Sequence, residues 1–345
     1  MRPAHDNAPV TRRQEFAVLA IDRLSGKTLW KRILRKGLPH AGAHKTGTLA
    51  SASPVTDGEH LLVSFGSQGL YCLDLDGELQ WQKDLGDMQV KHGHGEGSSP
   101  VLHGETVVVN WDHEGQSFLV ALDKRSGKEL WRALRNEVTS WSTPIVVADG
   151  DSPQVIVSGT KRVRGYDLRT GEVIWECGGL SHNIVASPVA ADGMVFVASS
   201  YEKRAMLAIR LDGAEGDITG TDRVAWVRRR RTPYIPSPLL YRGWLYFLSH
   251  YQGILSRVKA ETGEEPHGPF RLRGMYDIYA SPVAAAGRVY ITDRDGTTAV
   301  LGHGADKLEV LAVNRLEDSF SASAAVAGKE LYLRGERYLY CIAKD

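Results

Sequence analysis

Apolar residues in this chain come in short runs, many of them alternating with polar ones, and polar, glycine-containing breaks separate the runs. The stretch 97–134 shows the pattern: "SSPVLH", "ETVVVNW", "SFLVALD" and "ELWRAL" each read as a strand, and "HGE" and "KRSGK" are among the turns between them. No segment of useful length carries the 3.6-residue period of an amphipathic helix.

The four-strand unit repeats. "LVALDKRSGKELW" (119–131) has near copies at 18–30 and 163–175. A second landmark recurs in order: "SASPV", "GSSPV", "WSTPI", "VASPV", "IPSPL", "YASPV" and the degenerate "SASAA". Its Ser/Thr positions are 53, 99, 143, 187, 237, 281 and 323, spaced 46, 44, 44, 50, 44 and 42 residues apart. Four antiparallel strands every 40–45 residues or so predict an all-β propeller of four-stranded blades. Inside the unit, Asp123 is placed to bond the following amides and Gly127 supplies a positive φ. Trp131 opens the outer strand, with Trp30, Trp81, Trp175 and Trp226 at the matching place, where a large ring fills the wedge between blades. Cys72 and Cys341 stand where other copies have Ala20, Ala121 and Ala208, and read as small buried residues.

Two partial units flank six complete ones, which favours eight blades with an incomplete first blade. The alternative is seven, with the N-terminal outer strand closing the last. Residues 1–15 read as a flexible tail and 16–345 as a single propeller domain.

Bulk composition narrows the function class. The chain has 345 residues, 42% apolar and 24% charged, and a formal net charge of +1. No global field draws it to nucleic acid or an acidic membrane, and no apolar run approaches the ~18 residues of a membrane span. The first residues, "MRPAHDNAPVTRRQE", lack the apolar core of a signal peptide. Three cysteines without a CxxC form neither a disulfide framework nor a thiolate zinc site. P-loop, nucleophile-elbow and dinucleotide motifs are absent, so no catalytic residue is assigned.

The pattern A-x-D-x-x-[ST]-G-x-x-x-W with its S-x-P opening resembles the PQQ-type β-propeller repeat over residues 16 to 345. That repeat occurs in quinoprotein alcohol dehydrogenases and in non-enzymatic envelope propellers, including BamB-like assembly lipoproteins. The second group implies a non-catalytic scaffold that binds a protein, peptide or glycan. The first implies a PQQ-dependent dehydrogenase, with Trp111 or Trp141 as quinone platform and Asp112 or Asp277 as base. The chain lacks the adjacent Cys–Cys of the alcohol-oxidising members and their long inserts, so no cofactor or metal is expected. Taken alone the residues carry no export signal. The family is mostly exported and the chain opens in mid-blade, which implies an N-terminally shortened envelope protein.

Topology selects the working face. Links from first to second and from third to fourth strand share one side and are mostly tight. The other side receives the links between blades and those from second to third strand, which are long. Seven of the 12 histidines fall there, so the expected ligand surface, around the central opening, comprises His92, His94, Glu96, Trp111, Asp112, His113, Trp141, His182, Tyr234, His250, Tyr276 and Asp277. "KHGHGEG" (91–97), if extended, points His92, His94 and Glu96 one way, a minor case for a metal. "RRRR" (228–231) reads as a solvated run along an outer strand, with a local anion or partner contact as the lesser reading.

Overall fold

The computed structural model describes residues 7–8, 10–148, 152–304, 307 and 309–343. Residues 1–6 and 9 of the expected tail lie outside that set, while Asn7–Ala8 pairs with Ala43–His44 and the first long strand starts at Gln14. Apart from two 3-10 turns, Gly66–Gln68 and Lys91–Gly93, regular structure among the described residues is all strand.

Seven sheets form the blades, at 55–83, 101–135, 145–177, 189–228, 239–271, 283–315 and 325–343, numbered here 1 to 7. Blade 2 is typical. Its strands Val101–His103, Thr106–Trp111, Ser117–Asp123 and Glu129–Arg135 pair in chain order, all antiparallel. The two middle strands are buried along almost their whole length because both faces are covered, so they read as apolar runs. Blade 7 has three strands. Residues 14–37, set up by the sequence as an incomplete blade of an eight-membered count, form a two-stranded hairpin. The seven-bladed alternative therefore matches. The hairpin lacks inner strands, and counting it as a blade was the source of the preference for eight.

The chain divides into two compact units, 1–159 with 164–174, and 160–163 with 175–345. The long turn of blade 4, blurred in the repeat, has a use in the second unit: Gly216–Asp217 adds a parallel strand beside Trp175 and Glu176 of blade 3.

The tryptophans sit where the repeat placed them, and the structure adds the reason. Trp81 Nε1–H donates to the Lys124 carbonyl of the next blade (2.7 Å), Trp131 to Leu168 (2.8 Å) and Trp226 to Ala260 (2.9 Å). Trp30 of the hairpin does the same to Leu75 (2.9 Å). Each ring lies flat on the turn glycine of that neighbour. A Cβ on Gly77, Gly127, Gly171 or Gly263 would meet the ring of Trp30, Trp81, Trp131 or Trp226 at 2.8, 2.7, 2.5 and 2.7 Å respectively. Across its own sheet each Trp pairs with a small residue, Ala20, Cys72, Ala121 or Ala208, and a register shift follows at once. Cys72 is thus buried as read, its thiol pushed up to about 11 chiefly by that burial, whereas Cys341 is exposed, on the last of the three strands that blade 7 has among the described residues.

The second landmark is a hydroxyl ladder. The amide of Ser53 donates to Ser99 Oγ (2.9 Å) and that of Ser99 to Thr143 Oγ1 (3.1 Å) in the first unit. In the second unit Ser187 bonds Ser237, Ser237 bonds Ser281 and Ser281 bonds Ser323, at 2.9, 3.0 and 2.9 Å. The 44-residue period is therefore the interval between hydrogen-bonded rungs.

Gly127 and Gly104 have similar positive φ, 66° and 55°, but only Gly127 faces a ring; nothing lies within 4 Å of a Cβ on Gly104. Gly127→Ala should lose about 1–3 kcal/mol more in urea unfolding than Gly104→Ala. Equal losses would mean the glycine serves only the turn.

Candidate functional site

In the first unit, segments 39–42, 64–68, 88–90, 95–98, 109–112 and 139–141 surround a cavity of ≈ 40 Å³. That is room for one or a few waters, or for the tip of a side chain. Glu96 is cradled there. Its carboxylate accepts from the Ser67 amide (2.7 Å) and from the Ser67 hydroxyl. A Cβ on Gly66 would fall 1.4 Å from Glu96 Oε2, so the backbone must be bare for the carboxylate to enter. Ser67 Oγ also accepts from the Met88 amide (2.8 Å), and His40 Nε2 meets the Met88 carbonyl (2.9 Å). Burial raises the Glu96 carboxyl above its ordinary range, with the Ser67 bonds and His40 pulling the other way.

Trp111 and Trp141 form walls. Trp111 belongs to the core, 3% exposed and stacked on Phe118 with ring centroids 6.0 Å apart. Trp141 Nε1–H donates to the Gly95 carbonyl (2.7 Å). Asp112 is buried in a two-point ion pair with Arg135, at 2.7 and 3.1 Å, and accepts from the Ser140 hydroxyl at 2.7 Å. Arg135 also donates to the Tyr166 hydroxyl. Burial opposes the Arg135 charge, and Asp112, Tyr166 and Glu137 together more than offset it. His113 Nδ1 accepts from the Gln89 amide (3.1 Å) and Nε2 faces the Gln116 carbonyl (3.2 Å), which fixes the Nε2–H tautomer.

"KHGHGEG" is not extended. Lys91–Gly93 is a 3-10 turn with His92 at φ 57°, so alternate side chains do not share a side. The His92 carbonyl accepts from Asn7, His94 Nδ1 meets Asn7 Oδ1 (3.0 Å), and Glu96 turns to Ser67. His44, His92 and His94 form a ring cluster, with His94 at 5.1 and 5.5 Å from the other two. Among the described residues no group of three or more His, Cys, Asp or Glu is arranged to hold a metal.

In the second unit Tyr201, Tyr234, His250, Tyr251 and Tyr279 form a continuous run of rings, with centroid steps of 5.8, 4.6, 4.7 and 5.8 Å. Burial raises the Tyr234 hydroxyl and lowers the His250 imidazole, and the Arg204 charge lowers His250 further. His250 has φ 63° and its Nδ1 meets the Ser200 hydroxyl (3.3 Å). Tyr276 is 65% exposed. Asp277 pairs with Arg294 (2.8 Å), whose guanidinium lies over Tyr279. His182 faces Glu202 at 3.6 Å, both exposed.

The profile of the family described as outer membrane protein assembly factor BamB matches residues 14–265 and 116–345. The chain belongs to this BamB family. The crystal structure of BamB from Moraxella catarrhalis is similar with a TM-score of 0.64 at 15% identity, over 96% of this chain and 98% of that one. The computationally designed Ika8 protein gives a TM-score of 0.64 at 10% identity, over 96% and 91%. At such identities the likeness speaks for the fold alone. No curated protein matches the sequence. As a BamB-family propeller the chain has the architecture of a binding or scaffold module. Among the described residues no helix is long and apolar enough to cross a membrane.

Within this BamB-family chain, Glu96, Trp111, Asp112 and Trp141 come together around the first unit's cavity, with His113 behind them. Tyr234 and His250 come together in the second unit, while His182, Tyr276 and Asp277 stay at its surface. Sequence reasoning missed Ser67, Arg135 and Tyr201. Tyr201 sits in a link from second to third strand, so the topological rule that found the others applied to it as well.

A carboxyl whose pKa is raised on folding adds stability at low pH that is lost as pH rises through its folded value. Melting temperature should therefore fall between the ordinary glutamate range and the raised Glu96 value, and Glu96→Gln should flatten that slope. An unchanged slope in the variant would assign the pH dependence elsewhere.

Proposed function

We propose that this propeller is a non-catalytic scaffold of the cell envelope that holds a protein partner on the loop-rich side of its blades. One contrast carries the reading. Two polar groups that could do acid–base work, Asp112 and His113, are committed internally: Asp112 to Arg135 and Ser140, and His113 to Gln89 and Gln116. The large groups left at the surface are contact groups instead. Tyr276 is 65% and Tyr201 45% exposed, and tyrosine supplies much contact area at little entropic cost. Family membership supports the same conclusion, since the family is described as an assembly factor. Loop length supports it too. Longer links cost closure entropy and add nothing to the sheets, so their retention on one side fits use.

A photo-crosslinking residue at Tyr276 or His182, expressed in cells, should trap a discrete protein adduct in the envelope fraction. The same residue at His103, in the inner strand of blade 2, should not. Tyr276→Ala together with Tyr201→Ala should weaken the recovered complex about tenfold or more, the loss expected of contact residues near a hot spot. Adducts at His103 alone would put the working side opposite. Soluble, cytoplasmic protein with no adduct at any position would remove the scaffold reading.

A further inference from the structure

The arginine run divides. Arg228 and Arg231 both turn onto one carboxylate, Glu265, at 2.7 and 2.8 Å, with Arg228 buried. Only Arg228 lies within the outer strand Val224–Arg228, so the run is not the charged strand edge the sequence suggested. Arg229 leaves in another direction, and its Nη1 donates to the Gly179 carbonyl (3.0 Å). There it joins Lys203 and Arg204 around an open cleft of ≈ 550 Å³ floored by Gly179 and Leu180.

We propose that this cleft binds a phosphate-type oxyanion. Three cations converge on it, and among the described residues no carboxylate lies within ion-pair distance of any of them. Neighbouring Glu202 lies beside His182 instead. Surface cations elsewhere in the chain are commonly paired: Arg32 with Glu78, Lys36 with Glu15, Arg125 with Glu105, Lys259 with Glu264. Three like charges crowded together without an acid oppose folding, so packing gives no reason for them. The Arg204 charge is felt as far as His250, whose imidazole it disfavours in the charged form.

The frame is also fixed. Ser181, buried, donates its hydroxyl to the Lys203 carbonyl (2.9 Å) and accepts from the Lys203 amide (3.3 Å), and its own amide is held by Ser199 Oγ (3.0 Å). Two guanidiniums and an ammonium suit a tetrahedral anion, which accepts several charge-assisted bonds at once. The anion could be a soluble phosphate ester or the headgroup of an anionic lipid.

The test uses the full chain at low salt with two probes: pyrophosphate by calorimetry, and phosphatidylglycerol vesicles by flotation. Lys203→Gln and Arg229→Gln are compared with Arg230→Gln, an exposed neighbour outside the cleft. Saturable pyrophosphate binding that weakens about tenfold in each cleft variant and survives in Arg230→Gln supports a soluble ligand. Vesicle binding with that variant pattern and no pyrophosphate binding supports the headgroup. No binding to either probe overturns the proposal, as does equal loss in Arg230→Gln, which would reduce the effect to diffuse charge. Melting temperatures of all three variants should not fall below the parent's, since none of these side chains is buried.

Discussion

The rest of the structure depends on the contact between an indole ring and a glycine one blade further on. Trp81, Trp131 and Trp226 each lie flat on a turn whose glycine has no Cβ, and each is pinned by a hydrogen bond to the carbonyl beside that turn. One contact joins three requirements. The turn needs a positive φ, the ring needs bare backbone beneath it, and the indole N–H needs an acceptor if it is to be buried. The hydroxyl ladder at the inner strands makes a second join between the same blades, from side-chain oxygen to backbone amide, and continues alone from blade 5 to blade 7. Blades 1 and 2, 2 and 3, and 4 and 5 are therefore fastened at an outer and an inner point.

Fastening of this kind constrains the two sides of a blade differently. The turns that receive a ring cannot lengthen without losing the ring's seat. Links on the other side carry no such duty and hold most of the polar and aromatic residues discussed here. They are nevertheless well ordered by local bonds, as Glu96 is by Ser67 and Asp112 by Arg135. Burying the Asp112–Arg135 pair costs desolvation, and removal of one partner would strand the other. Such a pair suits holding loops in place. A group that must gain and lose a proton would need freer surroundings.

The blade repeat was legible because its marks are covalent facts of spacing: Asp–x–x–Ser/Thr–Gly–x–x–x–Trp, and a Ser/Thr every 42 to 50 residues. What the ring and the rung touch on the neighbouring blade was not legible, since those partners lie about 40 residues away along the chain. Gly127 was read as a turn residue and proves also to be the seat of Trp81. Site residues were legible only as members of links on one side. Whether a link side chain faces solvent depends on partners far along the chain. Trp111 goes to the core against Phe118, whereas Tyr276 does not, and nothing in their local sequence separates them. His92 failed for a local reason: three glycines in seven residues allow a turn where alternation assumed extension.

The most direct measurement is a double-mutant cycle between Trp131 and Gly171, using Trp131→Ala, Gly171→Ala and the pair, with stability read from urea unfolding. A Cβ on Gly171 would lie 2.5 Å from the Trp131 ring, so removing the ring should relieve the clash that the new methyl creates. The account predicts that Trp131→Ala alone costs about 3 kcal/mol. It further predicts that adding Gly171→Ala costs at least ~1 kcal/mol less than it does in the presence of the ring. Additivity within about 0.5 kcal/mol would show that ring and glycine act independently, and would contradict the contact on which the blades are argued to depend.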